Sequence, residues 1–523
     1  MATMVEGSAR SIGPVRARFV ATIFTSSFLL FLVQPMIARM ALPRLGGAPS
    51  VWNSAMLVYQ LLLLAGYAYA HWLDRFRPQR QAAVHLALLL LAGVTLPIGL
   101  MSAQPPPAAN PFLWVPWLLL LSIGPLFFVV SAQAPLLQRW FALECGGDPY
   151  PLYAASNLGS FGGLIVYPLL AEPFLAVSQQ RWLWSLGYGL LVLLVGWCAY
   201  RLPSAQISPS REAESAPAPG WRLVGEWILL AAVPSGLILS TTLHITTDVA
   251  AMPLLWVLPL GAYLLSFTVA FAAKRRLANS VLRLAPLVLL LACFGIFIHY
   301  TWLVLIFGAV AILNLFCVSV ALHSRLFESR PPARQLTLFY LAMSVGGALG
   351  GVFCALIAPL IFNWTYEHLL LLVAAAWLMR SLSPFERFAN LWDGERRARQ
   401  ATIGGIVVLA LLLVAAIAGV LGPPASVGIN LNALLAITVI AIVAIGNRLL
   451  FPIAVAALLV VAGGWERLEL SATPGHLARS FFGIYTVGPG SNHSRTLVHG
   501  TTLHGVQNLG SPERERMETS YYA

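Results

Sequence analysis

Charged residues are scarce in this sequence. Only 10% of the 523 residues are Asp, Glu, Lys or Arg, whereas a soluble globular domain has about 25%. Acidic residues are the scarcest, with 19 against 31 basic ones, which leaves a net charge of +12. Hydrophobic residues make up 59% of the chain, and the mean hydropathy is +0.80. This composition excludes a string of soluble domains.

Cysteine is also rare. The five cysteines form no CxxC pair, and four of them lie within apolar segments. We interpret them as small packing residues, which argues against a disulfide framework and against a cysteine metal site. No metal, cofactor or catalytic residue is predicted from the sequence.

Long apolar runs recur instead from Phe19 to Gly464. Most have roughly 17 to 25 residues, the length that a helix needs to cross a ~30 Å hydrocarbon core. They lack the period-2 alternation of a membrane β-barrel. The sequence therefore predicts an all-α polytopic membrane protein with 14 or 15 spans. In chain order, the fifteen candidate spans are 19–42, 50–72, 82–101, 111–134, 151–171, 182–200, 225–246, 252–273, 281–299, 302–322, 336–361, 366–380, 402–421, 431–447 and 449–463.

The loop charges predict the orientation. If the N terminus is cytoplasmic, the inner side carries 22 basic residues, and the outer side through span 13 carries only Arg39, Arg44 and Arg181. Cytoplasmic loops are enriched in Lys and Arg, so we expect a bacterial inner-membrane protein whose main partner is the lipid bilayer. This placement also accounts for the positive net charge without nucleic-acid binding. Spans 14 and 15 are short, so the side of the C-terminal tail stays open.

Two segments of the chain resemble each other at an offset of about 187 residues. YAASNLGSFGG begins at Tyr153 in span 5, and YLAMSVGGALGG begins at Tyr340 in span 11. The match predicts two six-span halves of the same orientation, residues 19–200 and 225–382, as in major-facilitator-type transporters. The remaining predicted regions are a cytoplasmic N-terminal tail (1–18), a polar linker (201–224), a basic cytoplasmic loop (383–401), extra membrane helices (402–464) and a soluble tail (465–523).

Both segments contain glycines four residues apart. Gly159 and Gly163 lie in span 5, and Gly346 and Gly350 lie in span 11. Glycines at this spacing allow membrane helices to approach closely. A phosphate-binding loop is disfavoured, since the glycines lie inside apolar helices and not between a strand and a helix.

Two groups of polar residues at membrane depth are candidates for an intramembrane site. His244 and Asp248 are four residues apart and share one helix face, as a proton relay or substrate contact requires. The favoured alternative is that Asp248 caps the next helix.

The second group is Gln34 and Arg39 of span 1 with Asn53 and Gln60 of span 2. Either all four residues line a cavity, or Gln34 and Arg39 belong to an outer re-entrant turn that is held by glycine and proline.

The tail has a different pattern. Segments 480–487 and 495–498 are predicted strands around a turn, and 501–509 is a candidate third strand, so the tail is a short C-terminal β-hairpin region. FLVQPMIARMALPRLGGAPSVWN (31–53), DPYPLYAASNLGSFGG (148–163), TTLHITTDVAAMPLLWVLPL (241–260) and FYLAMSVGGALGG (339–351) resemble the membrane portion of bacterial spermidine-synthase-like fusion proteins. The tail is similar to the hairpin region that opens their aminopropyltransferase-like domain.

This resemblance implies a role in polyamine metabolism and substrate contacts for Gln507, Tyr521 and Tyr522. His499 stands where that family has an aspartate. The Rossmann-like domain and the catalytic aspartate do not follow in this chain, so we do not expect it to catalyse aminopropyl transfer alone.

Three hypotheses result. The first is a membrane module that acts with a separate aminopropyltransferase- or methyltransferase-like subunit. The second is a major-facilitator-like transporter of a polyamine or another small solute. The third is a membrane scaffold for an enzyme, without transport.

Overall fold

The computed structural model describes residues 2–106, 109–145, 150–202, 219–249, 255–272, 274–297, 303–331, 335–379, 390–392, 395–418, 431–490, 493–500, 502–510 and 512–515. A helix occupies the position of each of the fifteen predicted spans. Eleven are long and apolar enough to cross a membrane, and three more are shorter apolar helices. Pro78–Gly93 supplies span 3. The predicted fold class, a multi-pass helical membrane protein, is confirmed.

The observed bounds differ from the predicted ones mainly at the ends. Span 4 is longer than predicted because a second helical segment, Gln133–Cys145, directly continues Pro111–Ser131. Spans 1 to 8 are Val15–Leu45, Pro49–Leu73, Pro78–Gly93, Pro111–Glu144, Leu152–Phe174, Val177–Tyr200, Trp221–Val249 and Val257–Ala270. Spans 9 to 15 are Arg276–Gly295, Leu303–Glu328, Leu336–Ile361, Tyr366–Leu378, Glu395–Ile417, Leu431–Val443 and Leu450–Ala472.

Spans 1–12 pack as two related halves. Span 1 packs most extensively against span 5, and span 7 packs in the same way against span 11. Between the halves, span 2 contacts span 11 and span 5 contacts span 8. These contacts of one half thus have counterparts in the other, as expected for two parallel six-span repeats related by an axis along the membrane normal. Spans 13–15 pack together against spans 9 and 12 of the second half.

The tail contains the predicted hairpin as part of a four-stranded antiparallel sheet. Its strands are β1 (Leu477–Ser480), β2 (Gly483–Gly490), β3 (Ser494–His499) and β4 (Thr502–Asn508), in the order β1-β2-β3-β4. The run 480–487 was predicted as one strand, but the chain turns at Phe481 and Phe482. Sequence patterns look for polar turn residues, whereas here Phe481 is buried against the membrane helices.

The sheet lies on the side of the helix bundle opposite the N terminus. Phe481 contacts Ser50 and Phe112, which begin spans 2 and 4, and Arg479 contacts Glu367 at the beginning of span 12. These helices start on the side where span 1 ends. Fifteen crossings place the sheet on this side, whereas fourteen would place it on the side of the N terminus.

Candidate functional site: a central cavity between the halves

A cavity of about 180 Å³ lies between the two halves. Spans 1, 2, 4 and 5 of the first half and spans 7, 8 and 11 of the second half contribute its walls. The wall residues of spans 5 and 11 come from the first turns of those helices, around Tyr153–Ser160 and Tyr340–Gly347. The cavity therefore extends from the middle of the bundle toward the side of the N terminus.

The walls combine aromatic rings with uncharged polar groups. None of the described residues that line the cavity is Asp, Glu, Lys, Arg or His. The polar wall residues are Ser26, Ser27, Gln34, Tyr59, Gln60, Tyr67, Ser131, Tyr153, Ser156, Asn157, Ser160, Ser235, Tyr263, Tyr340 and Ser344. Such a lining can bind neutral hydrogen-bonding groups and flat apolar surfaces.

Three buried wall atoms, Gln34 Oε1, Gln60 Oε1 and Ser344 Oγ, have no hydrogen-bond partner among the described residues. The Gln34 side chain is 4% exposed and its Oε1 accepts no hydrogen bond, while Ser344 is 6% exposed and its Oγ makes none. An unpaired polar atom in a low-dielectric interior is costly. Gln34 belongs to the first half and Ser344 to the second, so one bound solute that satisfies both would connect the halves.

Aromatic contacts close the cavity at both ends. Trp52 and Trp256 stack with ring centroids 6.2 Å apart, one turn outward from the wall residues Met56 and Leu260. At the other end the rings of Tyr153 and Tyr340 stack at 5.9 Å with an interplanar angle of 15°. These are the equivalent tyrosines of the two repeats.

The Tyr340 hydroxyl also donates to Gln138 Oε1 across the halves, at 2.8 Å. Each end of the cavity is thus closed by one residue from each half.

The repeated glycines are points of close backbone approach. A Cβ atom added to Gly159 or Gly163 would lie 2.5 or 2.3 Å from the carbonyl oxygens of Phe24 and Phe28 in span 1. In span 11, a Cβ on Gly346 or Gly350 would lie 2.3 or 2.4 Å from the carbonyl oxygens of Ile228 and Ala232 in span 7. The same contact therefore sets the distance between the first and fifth helix of each half.

The structure places the remaining polar candidates in different parts of the bundle. Gln34 and Gln60 line the cavity, and Gln60 Nε2 donates to Ser235 Oγ of span 7 at 2.8 Å. Arg39 is half-exposed near the C-terminal end of span 1, with Glu172 at 3.5 Å. Asn53 faces a small void beneath the tail sheet instead of the cavity.

His244 and Asp248 lie at the C-terminal end of span 7, away from the cavity. His244 Nδ1 and Asp248 Oδ2 are 2.8 Å apart, and the His244 ring stacks on His368 of span 12. Gln507 is exposed on β4. Tyr521, Tyr522 and most of the polar linker lie outside the described residues.

Sequence reasoning missed the ion pair between Arg479 and Glu367. Two hydrogen bonds of 2.7 and 3.0 Å join the guanidinium to the carboxylate, and the side chains are 5% and 1% exposed. The signal in the sequence is a carboxylate at the start of the apolar run of span 12, a position that is also typical of an interfacial residue. Its partner lies 112 residues away, so no local pattern could identify it.

No family model matches the sequence, and no curated protein matches it. Among solved structures, the chain is similar to the human organic anion transporter MFSD10 (TETRAN), with 16% identity, 69% of this chain and 99% of that chain covered, and a TM-score of 0.45. It is similar to a mutant of the nucleoside transporter NupG, with 12% identity, coverage of 69% and 98%, and a TM-score of 0.40. It is also similar to a bacterial homolog of the human lysosomal transporter Spinster in an inward-facing, unoccupied conformation, with 13% identity, coverage of 88% and 100%, and a TM-score of 0.41.

The interpretation of the chain as the membrane module of a spermidine-synthase-like protein is wrong. The three structures are of transporters, and neither sequence comparison matches a protein of the spermidine-synthase-like kind.

Proposed function

We propose that this protein is a transporter of major-facilitator type that moves a small neutral solute through the central cavity. The supporting observation is a cavity that lies between two related halves and has no charged residue in its described lining. Alternating access then consists of the two halves rocking about the bound solute.

The charge of the lining selects among solutes. A polyamine carries several positive charges, and burying them without carboxylate partners costs far more than aromatic contacts return. A neutral solute has no such cost. The unpartnered Gln34 Oε1 requires a hydrogen-bond donor, and the Ser344 hydroxyl can accept or donate. We therefore assign a neutral solute with hydroxyl or N–H donors and a flat apolar face.

The test is uptake into proteoliposomes by the full chain. The panel contains neutral solutes (a hexose, a nucleoside and an uncharged amide), cations (putrescine and spermidine) and an anion (succinate). We expect saturable uptake of a neutral member only. Saturable uptake restricted to charged members would exclude the neutral cavity as the binding site, and no uptake of any member would count against transport.

Variants connect uptake to the cavity. We expect Gln34→Ala and Ser344→Ala each to lower kcat/KM by roughly 3- to 10-fold, since a hydrogen bond contributes about 0.5–1.5 kcal/mol. Ser319→Ala is the matched control, because Ser319 is also buried and unpartnered but does not line the cavity. Equal losses in all three variants would show that the cavity is not the route.

The proposed location is the bacterial inner membrane, with the N terminus in the cytoplasm and the sheet outside. The loop charges support this orientation. Alkaline phosphatase fused after the sheet should be active and a fusion at residue 75 inactive. The reverse pattern would invert the orientation.

A further inference from the structure

We infer that the tail sheet is an outer latch, which holds the two halves together on the side opposite the N terminus and releases one of them when the cavity opens there. This inference rests on the proposed alternation of the halves. It concerns residues 479–481, which reach from the second half to the first within three residues of chain.

Attachment to the second half is polar and deeply buried. Arg479 makes two hydrogen bonds to Glu367 and a third, of 3.0 Å, to the carbonyl oxygen of Trp364. Breaking this pair would leave a buried charge without a partner, which is strongly unfavourable.

The far end of the sheet contacts the second half as well. Gly500 lies in the turn between β3 and β4 with φ of +58°, and a Cβ added there would lie 2.3 Å from the carbonyl oxygen of Thr247 in span 7. The sheet is therefore fixed to the second half at two places.

Attachment to the first half is smaller and uncharged. The Phe481 ring packs edge-on against Phe112 at a centroid distance of 4.9 Å. The Phe481 carbonyl oxygen accepts a hydrogen bond from the Ser50 hydroxyl. Water or lipid can replace both contacts without leaving a buried charge unpaired. The first half is therefore the one that separates from the sheet.

The contact site covers the outer seal of the cavity. Ser50 and Asn53, on the first turn of span 2, flank Trp52, whose ring forms that seal with Trp256. If the outer ends of the halves separate, span 2 moves away from the second half, and the Phe481 contact must open first or together with it. The strength of that contact then sets the fraction of protein that opens outward.

A native cysteine reports on the latch. Cys354 of span 11 is 1% exposed and lines the small void under the sheet together with Asn53, Arg479 and Phe481. Opening of the latch admits water to this void. The rate at which Cys354 reacts with a membrane-impermeant maleimide added from the outside therefore measures opening, and Cys354→Ala gives the background.

The first experiment compares neighbouring phenylalanines in the full chain. Phe481→Ala should raise the rate of Cys354 labelling by about fivefold or more, since it removes the ring that holds the first half. Phe482→Ala is the control, because its side chain is 53% exposed. No increase in Phe481→Ala would overturn the latch, and an equal increase in both variants would too, because it would indicate local unfolding of the turn.

A second experiment strengthens the contact instead of removing it. In a Phe112→Cys/Phe481→Cys variant, oxidation should lower Cys354 labelling below the wild-type rate, and reduction should restore it. Labelling that continues unchanged after cross-linking would overturn the latch. Neither readout requires a solute, so failure of the latch and failure of the uptake assay are distinguishable.

Discussion

At the scale of single residues, four glycines set the spacing of the bundle. They bring the backbone of spans 5 and 11 against carbonyl oxygens of spans 1 and 7, where any side chain would collide. Van der Waals contact between closely packed helices is a main source of stability in membranes, because lipid provides no hydrophobic driving force between them. The collisions are with backbone atoms, so neighbouring side chains cannot relieve them by changing rotamer.

Substituting one of these glycines should destabilise the protein. We expect Gly350→Ala to lower the free energy of unfolding by about 1–3 kcal/mol, the usual effect of overpacking. Gly189→Ala in span 6 is the control, since an added Cβ there meets nothing within 4 Å. Denaturation in detergent measures both, and equal stability of the two variants would contradict the close approach.

Residue patterns in the sequence predicted the close contacts of these glycines only in part. The four-residue spacing of the glycines indicated helix packing, but not that carbonyl oxygens are the partners. Gln34 was recognised as a polar residue at membrane depth. Ser344 was missed, because one serine in an apolar helix is equally compatible with a hydrogen bond to its own backbone.

At the scale of helices, ion pairs join the ends of spans within each half. Asp74 and Arg139 connect spans 2 and 4 with N–O distance 2.9 Å, and Arg275 and Glu328 connect spans 8 and 10 at 3.9 Å. These span pairs are equivalent in the two repeats, but the charges are reversed. Arg18 with Glu144 and Arg325 with Glu226 join spans 1 and 4 and spans 7 and 10 with the same reversal. Because the charges are reversed, an alignment of the two repeats by residue type could not reveal these ion pairs.

A charge exchange tests the equivalence. Asp74→Ala should lower the free energy of unfolding by about 1 kcal/mol, the upper end for a partly exposed pair. The exchange Asp74→Arg/Arg139→Asp gives the first half the polarity of the second and should recover most of the loss. Thermal denaturation in detergent provides the comparison. An exchange variant that is less stable than Asp74→Ala would show that the pair has another role.

The sheet should loosen in acid. Burial, and the nearby His504, lower the pKa of His499 below its ordinary value, and its ring stacks on Tyr485 at 4.8 Å. The unfolded tail binds a proton more readily than the folded sheet. The stability that neutral His499 adds to the folded sheet is therefore fully present above the ordinary histidine pKa of about 6.5. It is lost as the pH falls below that value.

Limited proteolysis of the tail in proteoliposomes between pH 7.5 and 5 measures this change. Cleavage should accelerate toward pH 5 in the wild type and much less in His499→Gln. The same acceleration in both proteins would rule out His499 as the cause.

At the scale of the whole molecule, contacts within and between the halves differ in kind. The ion pairs at the ends of spans on the side of the N terminus hold each half together, whereas the contacts described across the halves are hydrogen bonds and ring stacks. His71 with Thr337 at 2.9 Å and Gln60 with Ser235 at 2.8 Å are examples. Uncharged hydrogen bonds and ring stacks exchange with water at small net cost, so each half can move as a unit.

The sequence predicted much of this architecture. Apolar run lengths, loop charges and one repeated segment predicted fourteen or fifteen spans and a six-plus-six division. The four-stranded sheet, the side on which it lies and its contacts with both halves did not follow. They depend on packing between residues that are distant in sequence, such as Phe481 and Phe112.

Distances between spin labels in lipid nanodiscs test the central claim most directly, namely that the halves rock about the cavity. Labels at Arg77→Cys and Lys274→Cys report on the inner ends of the two halves, and labels at Leu113→Cys and Leu360→Cys report on the outer ends. Adding the solute that shows uptake should shift the two distance distributions in opposite directions, so that one end widens as the other narrows. Distances that stay fixed at both ends, or widen together, would contradict alternation of the halves.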